Sequence, residues 1–261
     1  MMVEITSRQN PLYKEVKSII SDLQADLIVV EGKKLFLEAV NSSCKLAKII
    51  VDKKNSAEII KLIDTQLNPE IIYMENDLIS SLYTTDSSPT TESPVIAFVA
   101  RPNWNLNDII ASGKHISCLV DVQDPGNVGT VLRSALAFDT AGIFLLGSCA
   151  KPFNTKTIRA SAGAVFKLPC IELSDYKTVF AELKNKEYQV VATSSKSSLQ
   201  LRDLKKGKQL FLFGNEGKGL PEEILNQSDV IVKIPHSKNV ESLNLAASAN
   251  IVFWEMYKKS L

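Results

Sequence analysis

Short apolar blocks alternate with amphipathic stretches along this chain. Residues 27–31, 46–51, 71–74 and 95–99 are brief apolar runs bounded by polar breaks and read as strands. Between them the apolar positions recur at helical spacing. Asn10 and Pro11 make a cap and first-turn pair that predicts a helix to about Asp22. Gly32 opens a second helix with Leu35, Phe36, Ala39 and Val40 on one face. Residues 56–67 and 76–82 read as two more. This alternation predicts a small α/β layer domain. Residues 84–93 (TTDSSPTTES) are a polar turn without apolar periodicity, and residues 101–114 separate the first module from a second. The expected division is 1–104 and 105–261.

The second module predicts strands at residues 116–122, 142–146, 189–193, 209–213 and 230–234. Helices are expected at 128–138, through the small-residue stretch 153–164, and at 179–186 and 245–257. Leu132, Ala135 and Leu136 form the expected inner face of the first helix, and Phe253, Trp254 and Tyr257 read as core positions of the last. The uniformly apolar run at 209–213 suits a strand buried on both faces of a parallel sheet. Such a sheet takes its ligand at the carboxyl ends of its strands.

Three loops follow such ends. Gln123-Asp124-Pro125-Gly126-Asn127 leads into the helix that carries Arg133. Gly214-Asn215-Glu216-Gly217-Lys218-Gly219 follows the strand at 209–213, and its glycines permit positive φ and close backbone approach. Pro235 begins a polar loop that runs through Glu241-Ser242-Leu243-Asn244 into an Ala-rich helix. Taken alone, each of the last two loops reads equally as a ligand loop or as its bland alternative, a solvated glycine turn at 214–219 and a helix cap at 241–244. Both ending buried strands within one short segment points to a shared pocket. No pair there has metal-ligand spacing, and no Ser, His and Asp form a nucleophile system. The dinucleotide fingerprint is absent, and Lys218 is followed by Gly219 rather than Ser or Thr, so the P-loop pattern fails too.

Composition narrows the class only modestly. The 261 residues are 45% apolar and 23% charged, an ordinary globular profile, and no apolar run approaches the length of a membrane span. Cys44, Cys118, Cys149 and Cys170 are widely spaced, which favours free thiols in a reducing compartment. The N-terminal stretch lacks an apolar signal core, and a cytoplasmic location is the expectation. The net charge of +1 hides an asymmetry: residues 1–100 carry 10 basic against 14 acidic side chains, and residues 101–261 carry 20 against 15. A polyanion would therefore meet local patches. Arg8, Lys14, Lys17, Lys33 and Lys34 are candidates to face phosphate, and Lys156 with Arg159 forms a basic rim; solvated helix surfaces are the alternative for both.

Three stretches together resemble the SpoU (TrmH-like) family of RNA ribose methyltransferases within the SPOUT superfamily. They are Asn127-Val-Gly-Thr-Val-Leu-Arg133, Phe213-Gly-Asn-Glu-Gly-Lys-Gly-Leu-Pro221, and Ile234-Pro235 with Glu241-Ser-Leu-Asn244; Arg159-Ala-Ser-Ala-Gly-Ala164 adds a fourth. The resemblance covers roughly residues 116–255. It implies a parallel sheet with a deep trefoil knot, a homodimer, S-adenosylmethionine as cofactor and RNA as substrate, ribosomal more than transfer RNA. Residues 1–100 resemble the small substrate-binding domain that precedes it in such proteins.

By the family pattern, Arg133, Asn127, Glu216, Ser242 and Asn244 are the catalytic set. Thr193, Phe213, Gly214, Gly217, Ile234 and Leu243 would hold the cofactor; from their charge and placement in the sequence, Lys156, Arg159, Arg8 and Lys33 are the candidates to contact RNA, and no spacing calls for a metal. A guanidinium keeps its proton at physiological pH, so Arg133 suits stabilising an alkoxide or orienting a phosphate better than acting as base. Lys238 stands where the family commonly has glycine, and Pro94-Val95-Ile96 replaces the usual Pro-Gln-Gly. The competing readings are methylation of a base nitrogen and a non-catalytic RNA-binding or assembly protein that keeps the fold.

Overall fold

The computed structural model describes residues 3–21, 26–42, 44–54, 56–63, 68–84 and 94–261. The expected helix end at Asp22, residues 64–67 of the expected third helix and most of the polar turn at 84–93 lie outside them. The chain forms two compact units, Met1–Asn103 with Phe153–Lys167, and Trp104–Pro152 with Leu168–Leu261. The stretch around Lys156 and Arg159, expected in the second module, therefore packs with the first.

The first unit contains β1 (Val3–Ile5), α1 (Pro11–Ser21), β2 (Leu27–Glu31), α2 (Lys33–Val40), β3 (Leu46–Val51), α3 (Ser56–Ile60), β4 (Glu70–Met74), α4 (Asn76–Ser80) and β5 (Val95–Ala100). Its sheet has the order β1-β4-β3-β5-β2. β1, β4 and β3 run parallel, and β5 lies antiparallel between β3 and β2. Ile5, Ile50, Ile72, Ile96 and Phe98 pack with Tyr13 and Val16 of α1 and Leu78 and Ile79 of α4 in one cluster.

The second unit contains α5 (Leu106–Ala111), β6 (Ile116–Val120), α6 (Pro125–Ala137) and β7 (Gly142–Leu146) before the chain enters the first unit as α7 (Thr155–Ala160). It continues with β8 (Cys170–Leu173), α8 (Tyr176–Asn185), β9 (Gln189–Thr193), β10 (Gln209–Phe213), α9 (Glu222–Leu225), β11 (Val230–Val232) and α10 (Leu245–Ser260). All six strands are parallel, in the order β11-β9-β10-β6-β7-β8. β10 is buried at every position, so strict alternation gives way to a continuous apolar run. Leu210 and Leu212 join Ile116, Cys118, Phe144, Phe180 and Leu183 in one cluster. On α10, Phe253 meets Phe213 edge-on with ring centroids 6.1 Å apart. Each fully buried side chain of this size contributes about 1.5–3 kcal/mol.

Three expectations are corrected here. Leu136 is 37% exposed and Trp254 46% exposed, so neither is core; Phe253 alone of the three aromatics is buried. The helix expected over 153–164 stops at Ala160, because Ala162 (φ +49°) and Gly163 (φ +85°) adopt left-handed conformations. Gly163 is small for a local reason: a Cβ there would lie 2.6 Å from Glu38 Cβ on α2 of the same unit.

Candidate active site

Three loops at the carboxyl ends of β6, β10 and β11 build the site within the second unit. After β6, Asp124 caps α6, accepting from the main-chain N–H groups of Gly126 and Asn127 at 3.1 Å each, and Pro125 occupies the first turn, where its missing N–H costs nothing. This cap fixes Asn127 in the opening turn.

The loop after β10 is folded upon itself by Asn215. Its Oδ1 accepts from Gly217 N (2.9 Å) and Lys218 N (3.1 Å), and its main-chain carbonyl accepts from Gly219 N at 2.8 Å. Its Nδ2 donates to the carbonyl of Asp121, beyond β6, at 3.0 Å. Of the three glycines only Gly219 has positive φ, at +71°. Gly214 is required by the loop itself, since a Cβ there would lie 2.3 Å from Gly219 C and 2.4 Å from Leu220 N.

After β11, Asn244 caps α10 by accepting from Ala247 N at 3.2 Å. The same side chain donates through Nδ2 to Asn127 Oδ1 at 3.1 Å, and Asn127 Nδ2 donates to Glu216 Oε1. A continuous chain of polar side chains, Asn244 to Asn127 to Glu216, thus links all three loops. Asn244 and Glu216 are exposed, so the chain offers a surface to solvent.

Arg133 and Ser242 are not part of it. Arg133 is exposed and makes no ion pair among the described residues. Six residues along α6 rotate it by about 240° from Asn127, which turns the two side chains to different sides of the helix. Ser242 is exposed in the loop before Asn244.

The residues expected to hold a cofactor end the central strands and line the loops after them. Phe213 is buried at the end of β10, and Ile234 and Leu243 are half-buried. The Thr193 hydroxyl donates to the Leu212 carbonyl at 2.8 Å, so it ties β9 to β10. The set carries no charge and few side-chain polar groups, which suits an apolar nucleoside face held by main-chain groups.

The residues expected to contact RNA stand differently. Lys33 is paired with Glu58, and Arg159 approaches the buried carboxylate of Glu31 at 3.5 Å, which also accepts from Thr84 N (2.8 Å) and Thr84 Oγ1 (2.7 Å). These two are paired with carboxylates of their own unit, whereas Arg8 and Lys156 are exposed and make no ion pair among the described residues. Burial pushes the Cys118 and Cys170 thiols well up, and Cys149 moves in the same direction, so none is a ready nucleophile. Among the described residues no cluster of three His, Cys, Asp or Glu is arranged to hold a metal. Sequence pattern alone does not single out Asn215, whereas the Asp-Pro pair ahead of a helix is a signal for Asp124.

Residues 114–254 match the model of the SpoU rRNA Methylase family. An uncharacterized tRNA/rRNA methyltransferase (MG252 homolog) of Mycoplasma pneumoniae is 28% identical over 234 residues, 85% of this chain and 94% of that protein. The Bacillus subtilis 23S rRNA (guanosine(2553)-2'-O)-methyltransferase RlmP is 26% identical, covering 98% of this chain and 99% of its own length. The AdoMet-bound rRNA methyltransferase structure from Sinorhizobium meliloti is similar over 100% of this chain and 99% of that one, with a TM-score of 0.84 and 26% identity.

Proposed function

The chain belongs to the SpoU rRNA methylase family, and on that premise we propose that it transfers a methyl group to a ribose 2′-hydroxyl of ribosomal RNA. It is an RNA methyltransferase of this family, with S-adenosylmethionine as its cofactor. The finer assignment, to ribose and to ribosomal RNA, is supported by the full-length similarity to a ribosomal 2′-O-methyltransferase. The observation that carries the reading is the Asn244–Asn127–Glu216 chain across the three motif loops.

Thr193, Phe213, Gly214, Gly217, Ile234 and Leu243 would hold the cofactor, which supplies an electrophilic methyl when bound. An uncharged, apolar set suits it, because a sulfonium is itself a cation and needs no cationic partner. The protein's own task is then to seat the ribose and manage the proton on its oxygen. Glu216, held by the Asn127 amide, presents a carboxylate oxygen able to accept from a ribose hydroxyl. Asn244 and Asn127 fix that carboxylate, and Ser242, two residues before Asn244 in the same loop, would add a hydroxyl. Arg133 stands apart from this chain of side chains, on another side of α6, and its positive charge would orient a phosphate of the bound RNA. Arg8 and Lys156 are the remaining candidates for phosphate contact.

A homodimer and a C-terminal trefoil knot belong to the same reading. The dimer is supported by Leu136 on α6 and Ile251 and Trp254 on α10, all exposed and apolar, beside Phe138, whose ring packs 5.9 Å from Trp254 and 5.8 Å from Tyr257. A second copy of this face is the occupant that would cover them.

The test incubates purified protein with labelled S-adenosylmethionine and total RNA from cells lacking the gene, then digests the RNA to nucleosides. Label in a 2′-O-methylnucleoside of ribosomal RNA, lost with Arg133→Ala, is the expected result. Label on a base would overturn the ribose assignment, and neither label nor cofactor binding would favour a non-catalytic RNA-binding protein.

A further inference from the structure

A cavity of about 190 Å³ opens in the second unit, at the edge of the sheet opposite the candidate active site. His115 immediately precedes β6 and Gln209 is the first residue of β10. These parallel strands pair Leu210 with Ile116, which sets His115 and Gln209 side by side at the amino-terminal edge. The charged lining consists of Lys205, Lys206 and Lys259, with no carboxylate among the residues that line it. Lys205 and Lys206 are exposed at the mouth, and Lys259 reaches in from the last turn of α10, donating to the Leu204 carbonyl at 3.2 Å.

Two buried polar atoms in this lining lack partners. Gln209 is 2% exposed; its Nε2 donates to the Lys205 carbonyl at 2.8 Å, while Oε1 has no hydrogen bond among the described residues. His115 Nδ1 is likewise buried and unpartnered. Burial, and then the Lys259 charge, lower the His115 pKa, so the ring adds no cation of its own at neutral pH. A buried carbonyl oxygen without a donor is costly, and three ammonium groups without a lining carboxylate call for an anion.

We propose that this cavity binds a ribose phosphate unit, its phosphate held by Lys205, Lys206 and Lys259 and a sugar hydroxyl donating to Gln209 Oε1. A bare anion would satisfy the lysines and leave the glutamine oxygen unmet; a phosphate with a neighbouring hydroxyl satisfies both. The volume admits several waters or one small sugar phosphate. The unit comes either from an RNA strand or from a free sugar phosphate, and the chemistry of recognition is shared. The site stands whether or not the methyl acceptor is ribose, since none of its residues belongs to the three motif loops.

The chain has two histidines, so the ring signals of His115 are readily assigned by NMR. With the full chain saturated in S-adenosylmethionine, ribose 5-phosphate is expected to shift the His115 ring and raise its pKa, leaving His236 unmoved. Ribose alone should not. Lys205→Gln combined with Lys206→Gln should weaken calorimetric binding of ribose 5-phosphate about tenfold, the loss of charge-assisted contacts, without changing cofactor binding. Gln209→Met should abolish the preference for ribose 5-phosphate over inorganic phosphate. Competition by hexauridylate would identify RNA as the source, and its absence a free sugar phosphate. An unmoved His115 ring at millimolar ribose 5-phosphate, or wild-type affinity in the double variant, overturns the proposal.

Discussion

Asn215 Nδ2 donates to the main-chain carbonyl of Asp121 at 3.0 Å, fastening the loop after β10 to the end of β6, 94 residues earlier. The same amide accepts from Gly217 N and Lys218 N, so one side chain sets the shape and the position of the segment that carries Glu216. Asn215→Ala should release Gly217 and Lys218 to exchange their amide hydrogens faster and cost about 1–2 kcal/mol in denaturant unfolding. Unchanged protection at both amides would show that the loop is held by something else.

The glycines of this loop should respond unequally. Gly214→Ala places a carbon against main-chain atoms of Gly219 and Leu220 that cannot step aside, a loss of about 1–3 kcal/mol. For Gly217→Ala the nearest neighbour is Asn215 Oδ1 at 3.6 Å, an ordinary contact, so stability should change by less than about 0.5 kcal/mol. Chemical denaturation of the pair gives the comparison, and equal losses would refute the steric account.

Acid should weaken the protein through His115. Its folded pKa lies below the ordinary value of 6.5, by burial first and the Lys259 charge second. The unfolded chain therefore takes up the proton more readily, and the stability present above about pH 6.5 declines as the pH falls towards the folded value. Lys205 and Lys206 line the same cavity as the ring. His115→Gln should flatten this part of the pH–stability curve. An identical slope in the variant would remove His115 as its source.

Arg159 should prove a structural residue before it proves an RNA contact. Its guanidinium, 39% exposed, faces the Glu31 carboxylate, 2% exposed. Arg159→Ala should destabilise the protein by about 1–2 kcal/mol, less than a fully buried pair would cost because water screens the arginine. Lys156→Ala, one residue into the same short helix and exposed, should leave unfolding unchanged and weaken RNA retention. Filter binding together with thermal melts separates the two effects.

Ile251→Glu with Trp254→Glu should turn a sedimenting dimer into a monomer that still melts cooperatively, since both side chains are partly exposed rather than buried in the core. A wild-type protein that sediments as a monomer would end the dimer reading.

The strands of the second unit were legible wherever an apolar run was long and ended in glycine or a polar turn. The apolar runs of β7, β9 and β10 coincide with their observed bounds. β1 and β8, at three and four residues, carry too little pattern to stand out. α5 is hard to see because its six residues fall within the polar, proline- and asparagine-containing stretch that separates the two modules. The apolar pattern of α6 begins at Val128, although Asp124 and Pro125 start the helix; Gly126 and Asn127 are poor helix formers that only the cap overrides. The apolar positions of α10 wrap past its inner stripe, so periodicity alone could not tell buried Phe253 from exposed Trp254. Resemblance supplied the members of the polar constellation, but not that Asn127 is its hinge while Arg133 points elsewhere.

Asn244 is both the cap of α10 and a donor to Asn127. Aspartate, serine and threonine could all inherit the first office, but none presents an amide hydrogen for the second. A descendant that kept the fold after giving up its chemistry would be free to drift to aspartate at this position without losing the helix. On the proposed reading, asparagine at 244 would serve as a signature of retained activity, and its replacement by another capping residue would mark a branch that kept the scaffold without the link to Asn127.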